Sequence, residues 1–228
     1  LGQGVDAGAA AAPRRFRQLG QRHPGQQAEQ RARLAGAVNT LALLGDGSIF
    51  GDNTDGVGLV GDITQALGWP IKDKKILLVG AGGAARGVVL PILEQQPTTL
   101  TIANRTLAKA VELATIFQPF GIIEARGFDD LATRRFDLVI NATSASLQGD
   151  LPPLPEDLFA EQAAAYDMMY SAQLTPFLAW AQAQGASNVA DGLGMLVGQA
   201  AEAFYLWRGV HPDVEPVRDM LRQQLAAR

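Results

Sequence analysis

Residues 80–85, Gly80-Ala81-Gly82-Gly83-Ala84-Ala85, form a G-x-G-x-x-A run. It follows the apolar stretch KKILLVG (74–80) and precedes a second apolar stretch reaching about residue 95. In that setting each small residue has a mechanical use. Gly80 makes the tight turn, Gly82 lets the backbone approach a pyrophosphate, and Ala85 lets helix and strand pack closely. Free N–H groups and the positive end of the helix dipole then face the phosphates. The next strand-like stretch ends in Asn104-Arg105-Thr106. A carboxylate at that point would accept the ribose 2′-OH of NAD and repel a 2′-phosphate. Here Arg105 can grip a 2′-phosphate as a fork, Asn104 and Thr106 can hydrogen-bond it, and Lys109 adds charge one turn on. These residue types predict a site for NADP(H).

Two further clusters are polar where packing does not ask for it. AGAVNT puts Asn39 at the head of an apolar run, and GDNTDG puts Asp52, Asn53, Thr54 and Asp55 between a strand and a helix. Taken alone, Asp55 reads first as a helix N-cap and Asn53 first as a turn residue, ahead of any functional role.

The elements that must hold these groups follow from hydrophobic pattern. VNTLALL (38–44) and SIFGDN (48–53) read as two strands about the Gly45–Gly47 turn. A helix is expected from Thr54 or Asp55 to Leu67, ended by Gly68. Residue ranges 74–80, 98–105, 122–126, 136–144, 163–170 and 187–192 read as strands. Ranges 84–95, 106–117, 175–184, 193–208 and 214–226 read as helices. This alternation predicts an α/β fold with an open parallel sheet of the Rossmann type and right-handed crossovers.

The chain has 228 residues, of which 47% are hydrophobic and 18% charged, enough apolar mass for a core. It holds no Cys, so disulfides, Cys-ligated zinc and thiol nucleophiles are excluded, and His23 and His211 are isolated. No apolar run reaches about 18 residues, the length of a membrane span. A cytoplasmic location is expected. The net charge is −4, but residues 1–33 carry six Arg against Asp6 and Glu29, leaving the remainder at −8. An acidic body argues against nucleic acid as a partner.

With these motifs in view, the sequence resembles the shikimate dehydrogenase family. The matching stretches are LAGAVNTL, GDNTDGVGL, LLVGAGGAARG, IANRT, VINATS, YDMMY with TPFLAWA, and ADGLGMLVGQAAEAF, in order over about residues 31–228. The resemblance implies NADPH-dependent reduction of 3-dehydroshikimate to shikimate, in a groove between an N-terminal α/β domain and a Rossmann domain. It implies that Asn39 and Asp55 bind ring hydroxyls, with Asp55 also half of a Lys–Asp catalytic pair. Gly80, Ala81, Gly82, Gly83 and Ala84 would hold the pyrophosphate, and Asn104, Arg105, Thr106 and Lys109 the 2′-phosphate. Met168 and Gly192 would lie by the nicotinamide, and Tyr170 and Gln199 would reach the substrate. No metal is implied, and a homodimer is compatible with the family.

The sequence departs from the family at its start. The family's Ser-x-Ser pair for the substrate carboxylate and its NVTxPxK segment, which carries the catalytic Lys, are absent. The Lys residues are Lys72, Lys74, Lys75 and Lys109. The expected organisation is therefore an aberrant or disordered leader (1–30), a remnant of the substrate-binding domain (31–68), the NADP-binding Rossmann domain (69–192) and C-terminal helices packing back toward the substrate side (193–228). Two rival readings stand beside this one: a quinate/shikimate dehydrogenase using NAD, and a non-catalytic NADP-binding remnant.

Overall fold

The structure is a computed structural model that describes residues 24–145 and 150–227. Most of the expected leader lies outside the described residues, but its last part does not. Helix α1 spans Pro24–Ala35, so residues 24–30 are helical and not the disordered segment expected there. The Ala-, Gln- and Arg-rich composition that reads as disordered is also strongly helix-forming, and Pro suits a first helical position. Docking anchors the helix, for Ala32 and Ala35 are buried.

A hairpin follows. β1 (Thr40–Leu43) pairs antiparallel with β2 (Ile49–Asp52), Thr40 facing Asp52. α2 (Asp55–Gly61) leads directly into a π-helical turn at Asp62–Ala66, and Gly68, at φ +70°, ends the segment.

The rest is the expected alternation. β3 (Lys75–Val79), α3 (Gly83–Glu94), β4 (Thr99–Ala103), α4 (Leu107–Phe117), β5 (Ile123–Arg126) and β6 (Phe136–Asn141) come first. Then come β7 (Phe159–Asp167), α5 (Pro176–Ala183), β8 (Asn188–Asp191), α6 (Leu193–Arg208) and α7 (Glu215–Ala226). The six strands are all parallel, in the order β5-β4-β3-β6-β7-β8. That order reverses beside β3, and such a switch point leaves a ligand crevice at the strands' C-terminal ends. β3 and β6 are buried on both faces, which is why their apolar runs do not alternate. β7 begins at Phe159, before the expected 163, since FAEQ has little apolar signal and its ends are shared with β6 through an irregular register.

α2 lies between α3 and α6, and glycines set both crossings. A Cβ at Gly56 would run into Pro91 and the Gly87 carbonyl of α3, and one at Gly58 into the Gln199 backbone of α6. No described helix is long and apolar enough to cross a membrane.

Candidate active site

The Gly-rich turn has the geometry its residues imply. Gly80 sits at φ +107°, a left-handed region that a side chain would strain, and its N–H donates to the Ala103 carbonyl at 2.7 Å. That bond ties the end of β3 to the end of β4. Gly82 is the N-cap of α3 with extended backbone, and no side chain caps the helix. A Cβ at Gly82 or Gly83 would meet open space, so these glycines leave room above the helix terminus. Ala81 is half-buried, Ala84 exposed and Ala85 fully buried, as close packing of α3 requires.

Beside this loop, β4 ends at Asn104-Arg105-Thr106. The Asn104 side-chain amide donates to the Thr106 carbonyl at 3.0 Å, shaping the turn into α4. Arg105, Thr106 and Lys109 are exposed, and neither cation has a partner among the described residues. Two cations, a polar turn and an uncapped helix N-terminus at one sheet end fit a dinucleotide carrying a 2′-phosphate. Among the described residues no cluster of three His, Asp or Glu could hold a metal.

The substrate-side residues form a second group. The Asn39 side-chain oxygen accepts the Thr54 backbone N–H at 3.0 Å. Because that N–H can only donate, the Asn39 amide nitrogen must face the other way, where it donates to Asp55 Oδ1 at 2.8 Å. Thr54 is buried, with its hydroxyl 3.1 Å from Asn39 Oδ1 and 3.4 Å from Gln199 Oε1. Asn39, Asp55 and Gln199 are thus joined through Thr54, although α6 is far from the hairpin in sequence. The tight crossing at Gly58 makes that approach possible.

Asp55 is not the helix cap. Thr54 holds the cap position without a side-chain cap bond, and the Asp55 N–H is taken by Asn53 Oδ1 at 3.2 Å. Its carboxylate is turned to Asn39 instead. Burial holds the Asp55 carboxyl above the usual carboxylate range, partly offset by the Asn39 amide.

The substrate group lies close to the nucleotide end of α3. Arg86 Nε donates to the Leu34 carbonyl of α1 at 2.5 Å, and a Cβ at Gly87 would touch Asn53. Gly87 is about 6 Å along the helix axis from Gly83, at 1.5 Å per residue.

Met168 and Gly192 are neighbours. The Met168 N–H donates to the Asn141 carbonyl at 2.9 Å, and any side chain at Gly192 would run into the Met168 backbone. The Met168 side chain is buried and belongs to the core cluster. Tyr170 is exposed just beyond β7, and no hydrogen bond ties it to the Asn39–Asp55–Gln199 group.

Several supporting residues escape a motif reading. Buried Asp167 receives the Asn141 amide at 3.0 Å, the Thr175 hydroxyl at 2.6 Å and the Met169 N–H at 3.1 Å, fixing the loops after β6 and β7. Tyr166, fully buried, donates to Asp62 Oδ2 at 2.7 Å and accepts the Met195 N–H at 3.3 Å. The buried fork of Arg31 on Asp52 is another. Their only signal in the sequence is a polar residue inside an apolar stretch.

Over most of its length the chain is similar to known proteins. Residues 62–148 match the family model described as "Shikimate / quinate 5-dehydrogenase", and residues 192–222 the one described as "Shikimate 5'-dehydrogenase C-terminal domain". A shikimate dehydrogenase (NADP(+)) from Cellvibrio japonicus is 60% identical over 86% of this chain and 70% of its own length. One from Nitrosospira multiformis is 57% identical over 87% and 72%. Among solved structures, an Ael1 enzyme from Pseudomonas putida superimposes with a TM-score of 0.80 at 48% identity, covering 86% of this chain and 73% of that one. A shikimate 5-dehydrogenase from Thermus thermophilus in complex with NADP(H) and shikimate gives 0.73 at 36%, covering 86% and 71%.

Proposed function

Because the chain belongs to the shikimate dehydrogenase family, we propose that its residues serve the NADPH-dependent reduction of 3-dehydroshikimate to shikimate. Relatives named as NADP(+) enzymes, and a neighbour holding NADP(H) and shikimate together, support that reading. NADPH, when bound, supplies the hydride that the ring carbonyl carbon accepts. Gly80 to Ala84 receive the pyrophosphate on backbone N–H groups. Asn104, Arg105, Thr106 and Lys109 receive the 2′-phosphate, and the lack of a carboxylate there favours NADP(H) over NAD. Met168, through its backbone, and Gly192 border the nicotinamide side.

At the substrate end, Asn39 keeps one amide hydrogen and Asp55 one carboxylate oxygen beyond their mutual bond. These groups meet ring hydroxyls, with Gln199 and Tyr170 adding further contacts. A site of this kind rejects analogues lacking the hydroxyls, because its polar groups would be left unpaired. Asp55, with its raised proton affinity, stands in the proton path to the carbonyl oxygen. The observation that carries the reading is the Asn39–Asp55 pair, joined through Thr54 to Gln199.

The partner Lys is the weak point of the relay. Lys72, Lys74 and Lys75 precede or begin β3, at the opposite end of that strand from Gly80, and Lys109 lies on α4. None stands with Asp55. A polypeptide of these 228 residues should therefore bind NADPH and reduce 3-dehydroshikimate slowly. We divide it functionally into a substrate side (24–68), a nucleotide side (69–192) and a C-terminal segment (193–228) that returns Gln199 to the substrate side. The test is saturable NADPH binding by fluorescence, followed by shikimate titration of the loaded protein. Absence of NADPH binding would refute the proposal.

A further inference from the structure

Arg31 lies on α1, away from every recognised motif, yet it meets carboxylates from two other elements. Its Nε donates to Asp52 Oδ1 at 3.2 Å and its Nη2 to Asp52 Oδ2 at 2.5 Å. The Asp52 side chain is completely buried and that of Arg31 partly buried. A buried carboxylate demands such pairing, and a planar fork meets it where an ammonium would not. The same guanidinium lies 3.9 Å from Glu202 on α6, one turn beyond Gln199.

Asp52 passes this constraint to the site. Its Oδ1 also accepts the Asn53 N–H at 2.7 Å, and its backbone carbonyl accepts the Asn39 N–H at 3.0 Å. One residue thus fixes the start of the 53–55 turn and the backbone of Asn39. The turn then presents the Thr54 N–H that orients the Asn39 amide toward Asp55.

We propose that Arg31 is a positioning residue: by clamping Asp52 it holds the Asn39 amide and the Asp55 carboxylate in the joint geometry that receives substrate hydroxyls. The last clause rests on the proposed function. The clamp itself does not, and it can be read without substrate.

The test compares Arg31→Lys, which keeps the charge and loses the fork, with Arg31→Met, by NMR of the 228-residue chain. The readouts are the Asn39 side-chain amide signals and the titration of the Asp55 carboxyl carbon. In the parent, the Asn39 amide should be protected from exchange and Asp55 should titrate above ordinary carboxylates. Both variants should release the Asn39 amide and, by removing its hydrogen bond to the carboxylate, move the Asp55 titration further up, while NADPH binding stays near the parent value. If Arg31→Met fails to fold, Arg31→Lys alone decides. A folded, NADPH-binding Arg31→Lys with both signals unchanged would overturn the proposal and leave Arg31 a structural anchor only. Titrating the parent with millimolar shikimate separates the two claims. Shifts that spare Asn39 and Asp55 would refute the substrate assignment and leave the clamp standing.

Discussion

Replacing Arg105 with Ala tests the reading of the nucleotide end. Arg105 is exposed and has no partner among the described residues, so its removal leaves no buried group unpaired. Such surface changes usually alter stability by no more than about 0.5 kcal/mol. Binding is another matter. A hydrogen bond to a charged group is typically worth about 1.5–3 kcal/mol. At about 1.4 kcal/mol per decade, the variant should bind NADPH roughly ten- to a hundredfold more weakly. NADH lacks the 2′-phosphate and should lose almost nothing. Fluorescence titration with both nucleotides, alongside a melting curve, measures all three quantities. Equal weakening of both nucleotides would show that Arg105 does not read the phosphate. Unchanged NADPH affinity would hand that role to Lys109 or to the backbone.

Other consequences can be checked separately. Asp55→Asn, made in a relative carrying the full family motifs, should abolish most turnover while leaving folding intact. Its stability effect should also depend on pH. The folded state raises the Asp55 pKa, so Asp55 stabilises below the ordinary carboxylate value, about pH 4, and that contribution is lost as pH rises through the raised value. The variant should therefore gain on the parent as pH climbs from about 3 to neutrality, and a pH-independent difference would contradict the burial of that carboxyl. Tyr166→Phe leaves the buried Asp62 without its hydroxyl donor and should cost about 1.5–3 kcal/mol in urea unfolding. That cost should shrink in an Asp62→Leu background, and strict additivity would mean that the pair is uncoupled. Gly58→Leu should force α2 from α6 and destabilise the chain, while Gly61→Ala, where a Cβ meets open space, should not.

The sheet was legible because its strands are apolar runs between glycine and polar turns, as in KILLV and FDLVIN. The nucleotide loop was legible because its glycines serve local backbone needs. The substrate end was harder, since Gln199 reaches Thr54 only through a helix crossing that no local pattern reports. Asn39 and Asp55 could be picked out, but which of cap and ligand Asp55 is depends on where its carboxylate turns. Arg31 was hidden by composition: a run rich in Ala, Gln and Arg reads as solvated, and the buried Asp52 beneath it is visible only in three dimensions. Met168 is a case the sequence leaves open, since its side chain belongs to the core cluster while its backbone abuts Gly192.

The most direct measurement is the oxidation of NADPH by the purified 228-residue chain with 3-dehydroshikimate, followed at saturating nucleotide beside a relative carrying the catalytic Lys. General acid–base help is worth about 10²- to 10⁴-fold, so turnover should fall below the relative's by at least about a hundredfold, while NADPH still binds saturably. Turnover equal to the relative's would contradict the account, because a group other than the family's Lys would then be delivering the proton beside Asp55.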